Sequence, residues 1–165
     1  MSAKPFRVLG IDPGLNVTGY AVVDFAGNGD PAVVEAGALR TTPRADMSER
    51  IAQVYDDLRA ILAETGPRLV AIEQLYAHYK HPRTAILMGH ARGVIMLACR
   101  QAGVQVRHLA STHVKRSVTG NGHASKLQVQ RSVQHLCKLR SLPQPPDVAD
   151  AIAIALCAGR GSWGS

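Results

Sequence analysis

The chain has 165 residues, 46% of them apolar, and a formal net charge of +7 from 19 Lys and Arg against 12 Asp and Glu. That length supports one domain, 1–165, with a substantial core and is too short for two large ones. No apolar run reaches the roughly 18 residues of a bilayer span, Lys4, Pro5 and Arg7 interrupt any signal-like start, and three scattered cysteines (Cys99, Cys137, Cys157) suit neither a disulfide scaffold nor a zinc site, so a cytoplasmic protein with buried thiols is expected.

The first strand is predicted over 6–12, where an apolar run ends on Asp12 before the turn Pro13-Gly14. A second strand follows over 17–25, the turn signal Gly27-Asn28-Gly29-Asp30, and a third strand over 32–41, making an antiparallel meander. Asp46 and Glu49 have capping-box spacing, and Ile51, Val54, Leu58, Ile61 and Leu62 then recur with helical period up to Gly66-Pro67. Residues 68–72 read as a doubly buried strand, typical of a parallel neighbour reached by a crossover helix. A helix is predicted over 84–102, with Gly89 and Gly93 opening a groove that suits either sheet packing or a dimer contact. A fifth strand (104–109), a short basic helix capped by Ser111, a flexible loop at Thr119-Gly120-Asn121-Gly122, a helix over 126–139 and a proline-rich turn into a last helix near Asp147 complete the chain. The fold class is α/β, with a mixed sheet flanked by helices.

Charges at the ends of apolar runs stand out. Asp12 follows Val8-Leu9-Gly10-Ile11, Glu73 follows Leu69-Val70-Ala71-Ile72, and Asp147 and Asp150 open the apolar final helix. A carboxylate beside apolar neighbours is costly unless it is paired, protonated or bound to a cation. Taken singly, Asp12 suits a turn, and Asp147 with Asp150 suits a helix first turn, where negative charge is favoured. Taken together, two central strand ends and a helix start offer the oxygen donors that Mg2+ or Mn2+ prefers. Two such ions, roughly 4 Å apart, suit phosphodiester hydrolysis.

The charge distribution points the same way. Between Glu73 and Asp147 there is no acidic residue but eleven basic ones, leaving eight of the nineteen basic and all twelve acidic residues to the rest. A segment emptied of acids and flanked by carboxylates suits a phosphate-rich partner. Lys115 and Lys126 lie in it beside Gly-rich loops, Lys80, Arg83 and Arg116 add further cations, and the stretch Tyr76 to His81 interleaves aromatic and basic residues. His78 and His81, spaced H-x-x-H, read as DNA contacts or surface residues rather than a metal site.

Six blocks in order resemble the RuvC family, the bacterial Holliday-junction resolvases: GIDPGLNVTGY (Gly10 to Tyr20), AIEQLY (Ala71 to Tyr76), GHARGV (Gly89 to Val94), VKRSVTGNG (Val114 to Gly122), KLQVQ (Lys126 to Gln130) and DVADAIAIA (Asp147 to Ala155). The resemblance implies an RNase H-like fold with a five-stranded sheet, a homodimer, and Mg2+-dependent symmetrical nicking of four-way DNA junctions that leaves 5′-phosphates. It implies acidic ligands at Asp12, Glu73, Asp147 and Asp150, important lysines at Lys115 and Lys126, and handover from the branch-migration proteins RuvA and RuvB. Tyr76 falls where the family often has Phe and keeps a face for base stacking. The rivals are another RNase H-like nuclease and a non-catalytic junction-binding module. The D-x-G…T-G opening also resembles actin-like kinases, which need a second domain that this length does not supply.

Overall fold

The computed structural model describes residues 4–27, 29–75 and 80–162. Three strands come first, β1 (Phe6–Asp12), β2 (Val17–Phe25) and β3 (Ala32–Arg40). Helix α1 (Met47–Thr65), strand β4 (Leu69–Glu73), helix α2 (Pro82–Gln101) and strand β5 (Gln105–Leu109) follow, then helices α3 (Ser111–Thr119), α4 (Lys126–Leu136) and α5 (Pro146–Ser162). The strands form one mixed sheet in the order β3-β2-β1-β4-β5. The β1–β2 and β2–β3 pairs are antiparallel, and the β1–β4 and β4–β5 pairs are parallel. The expected five-stranded mixed sheet flanked by helices is present.

The two-residue period of a strand sorts its side chains to the two faces. Leu9, Ile11, Val22, Val70 and Ile72 pack against Val54 and Leu58 of α1 and Ile95 of α2. Val8, Ala21, Val23, Leu69 and Ala71 pack on the other side, where α5 lies along β1 and β2 and carries α3 and α4 against it. Residues 151–159 of α5 are buried without a break, as a helix apolar around its whole girth requires. Two glycines let its backbone come so near. A Cβ on Gly10 would stand 2.2 Å from the carbonyl oxygen of Ala151, and one on Gly19 would stand 2.2 Å from that of Asp147.

Local signals were met unevenly. Gly66 ends α1 in the left-handed conformation and donates to the Leu62 carbonyl at 3.0 Å, as expected. Asp46 is the residue before α1, but its side chain makes no capping hydrogen bond; it is exposed, where water serves the free amides. The capping box belongs to α4 instead: Gln128 N–H donates to Ser125 Oγ at 3.2 Å and Ser125 N–H to Gln128 Oε1 at 2.8 Å. Ala110, not Ser111, precedes α3. The fourth helix stops at Leu136 rather than 139, because Lys138 takes φ 51°. The loop expected to be flexible is braced, with the Thr119 hydroxyl donating to Lys115 O at 2.7 Å and accepting from Asn121 N–H at 3.0 Å. Gly89 and Gly93 do not pack on the sheet, since nothing lies within 4 Å of a Cβ at either. No helix among the described residues is long and apolar enough to cross a membrane.

Candidate active site

Asp12 and Glu73 are the last residues of β1 and β4. These strands run parallel side by side, in register through Ile11 and Ile72, so both acids emerge at one edge of the sheet. Alternation places them on the face of Val8, Leu69 and Ala71, which is the face that α5 covers. Asp147 stands in the first turn of α5, and Asp150 is one turn on, on the same side of the helix. Gly19, directly across the ladder from Asp12, is the residue on which the Asp147 backbone rests.

The result is a knot of carboxylates. Oxygen atoms of Asp12, Asp147 and Asp150 lie within 4.8 Å of one another. Glu73 stands outside that circle but shares a hydrogen bond with Asp12. The Asp12 carboxyl is pushed up to about 9, first by burial, then by the charges of Glu73, Asp150 and Asp147. Burial and Glu73 push Asp150 up to about 6, while Lys126 and, more weakly, Lys115 pull it down. Crowded oxygens that resist ionisation in the absence of a counter-charge are of the kind that could hold a hard divalent cation.

A cavity of about 200 Å³ opens beside the knot, lined by Glu73, Asp150, Lys115 and Lys126 with Ser111 and Val114 among its walls. Both lysines therefore face the same space as two of the acids. The loop after Asp12 is held from two sides. Thr18, buried, donates to the Gly14 carbonyl at 2.6 Å. Arg50, also buried, donates through Nε to Thr41 Oγ1 at 3.0 Å and through a second nitrogen to Asn16 Oδ1, while the Thr41 hydroxyl donates to Leu15 O at 2.7 Å.

The remaining predicted residues are more dispersed. Lys80 and Arg83 are exposed at the start of α2, where His81 is the exposed residue before the helix. Arg116 is exposed on α3, its guanidinium close to Gly122. Tyr76 and His78 lie outside the described residues. Two arginines have contacts that the sequence does not reveal. Arg50 looks like any solvated helix cation, and Arg92, which donates to the Glu73 main-chain carbonyl, stands in the sequence as one of the eleven cations of the acid-free segment and as part of the GHARGV block.

A mixed five-stranded sheet with carboxylates gathered at the ends of its parallel central strands, under the first turn of a covering helix, defines an RNase H-like nuclease. The model of one such family, crossover junction endodeoxyribonuclease RuvC, matches residues 8–158, and the chain belongs to that family. It is 49% identical over 152 residues to the RuvC of Rhodopirellula baltica, covering 91% of this chain and 84% of that protein. The Thermus thermophilus RuvC structure superposes with a TM-score of 0.86 at 32% identity, covering 96% of each chain. T. thermophilus RuvC in complex with a Holliday junction substrate gives 0.88 at 31% identity, covering 95% of this chain and 97% of that one.

Proposed function

We propose that this chain resolves Holliday junctions during recombination and repair by nicking two strands of like polarity at symmetry-related positions. The observation that carries the reading is the meeting of Asp12, Asp147, Asp150 and Glu73 beside a cavity that Lys115 and Lys126 also line. The four acids would hold Mg2+ or Mn2+, two ions per site, which polarise the scissile phosphodiester and acidify water for attack. The chain's own side chains do the rest. Asp12, between the sheet and α5, fixes the donor set; Lys115 and Lys126 bring cationic donors to the phosphate; and the walls of the cavity limit bulk water. Hydrolysis leaves a 5′-phosphate. Tyr76, Lys80, Arg83 and Arg116 contact the strands around the crossover.

A junction with two equivalent cuts calls for a two-fold partner. The outward stripe of α2 supports a homodimer: Ile86, Gly89, Gly93, Met96 and Leu97 fall within a roughly 100° arc, and Ile86 and Leu97 are 60% and 49% exposed. The proposed setting is the bacterial cytoplasm, with RuvA and RuvB delivering the junction. A binding-only module leaves unexplained why acids that resist ionisation are gathered beside phosphate-seeking lysines.

Synthetic four-way junctions test the reading. Wild type is expected to cut them in Mg2+ as paired nicks and to spare linear duplex, whereas Asp12→Asn binds the junction but loses cleavage by 10³-fold or more, on the order of the largest single-group effects. Equal cutting of linear duplex would refute the resolvase reading and leave the nuclease.

A further inference from the structure

Arg92 reaches the site from behind. It projects from α2, and its guanidinium donates to the main-chain carbonyl of Glu73, the last residue of β4. A second nitrogen of the same group lies 2.9 Å from Nδ1 of His108 on β5. The chain just beyond Glu73 is fixed from β5 as well, Gln74 N–H donating to Leu109 O at 2.8 Å. The β1–β4 pairing, by contrast, is in register only as far as Ile11 and Ile72. The ladder to β1 thus brings the chain up to Glu73, and from there its main-chain carbonyl is also held from α2, through one planar, five-donor group that reaches β5 as well. Lys126 and Lys115 are the cations that act on the Asp150 side chain; Arg92 reaches the Glu73 backbone instead.

We infer that Arg92 is a positioning residue that sets the Glu73 carboxylate against Asp12 and so tunes the affinity of the site for its cation; this rests on the proposed cation site. It also ties that site to α2, the helix whose outer stripe is offered to a second copy. Partners that orient a metal-ligating carboxylate are worth about 10- to 100-fold in metal affinity or activity.

Calorimetric titration of Mn2+ into the metal-free protein tests the assignment, with metal-free junction binding and the melting temperature measured alongside. Arg92→Gln is expected to bind Mn2+ about 10- to 100-fold more weakly with junction affinity unchanged. Arg92→Lys is expected to fall between, because an ammonium cannot span both acceptors. Mn2+ affinity at the wild-type level in Arg92→Gln overturns the inference, as does a loss of junction affinity as large as the loss of metal affinity. Should Arg92→Gln fail to fold, Arg92→Lys decides by the same criterion. Glu73→Gln separates the two levels. Weakened Mn2+ binding there with normal binding in the Arg92 variants removes only the role of Arg92, whereas undiminished binding in Glu73→Gln removes the cation site as proposed and the inference with it.

Discussion

At Asp12, burial and three neighbouring carboxylates oppose ionisation, so in the metal-free protein the folded chain keeps a proton up to about pH 9. The unfolded chain releases that proton near pH 4. A group with its folded pKa raised contributes stability that is complete below the unfolded value and is lost as pH climbs toward the folded one. Metal-free stability therefore falls between about pH 4 and 9 on account of Asp12, and Asp150, raised to about 6, adds to the fall in the lower part of that window. Asp12→Asn keeps the shape and cannot ionise. Its metal-free melting temperature is expected to exceed that of wild type at pH 8, by roughly 2–4 °C for each kcal/mol of repulsion removed, and the gap should narrow toward pH 4. Calorimetric scans at several pH values in chelator check this; a gap that widens on acidification would contradict it. The acids are legible in the sequence because each stands at the end or the opening of an apolar run. Arg50 and Arg92 were not, because a basic residue on a helix looks solvated until its partners, Thr41 and Asn16 or the Glu73 carbonyl and His108, are brought to it by the fold.

Between elements, the decisive contact is α5 on the sheet. The apolar period and the proline turn identified that helix, and the strands around Asp12 and Glu73 were placed within a residue or two. What sequence alone did not show was why Gly10 and Gly19 are glycines, since the need arises only from a helix backbone 2.2 Å from where a Cβ would sit. Capping went astray for a related reason: D-x-x-E at 46–49 and S-x-x-Q at 125–128 look equally good, and only the second closes. The glycines give a paired test. Gly10→Ala and Gly19→Ala should each cost about 1–3 kcal/mol through overpacking. Only Gly19→Ala pushes on the backbone of Asp147, and a shift of about 1 Å in a reacting group costs on the order of 100-fold in rate. Cleavage rates measured well below both melting temperatures should therefore drop far more for Gly19→Ala. Equal losses in the two variants would mean that Asp147 is not where its position matters.

For the molecule as a whole, topology turns dispersed residues into one site. Placing β1 at the centre, antiparallel to β2 and parallel to β4, brings Asp12 and Glu73 to the same edge, though 61 positions separate them in the chain. The closing helix then carries Asp147 and Asp150 back over that edge. The acid-free segment between Glu73 and Asp147 supplies α2, β5, α3 and α4, and from it Lys115 and Lys126 enter the same cavity. Basic and acidic side chains thus meet at a single place, which a sequence shows only as alternating stretches of charge. Diffraction from Mn2+-soaked crystals, recorded at the manganese absorption edge, tests this most directly. Anomalous density is expected among the carboxylates of Asp12, Asp147 and Asp150, with Glu73 in contact, and is expected to vanish in Asp12→Asn. Density elsewhere, or none at Mn2+ concentrations that support cleavage, would contradict it.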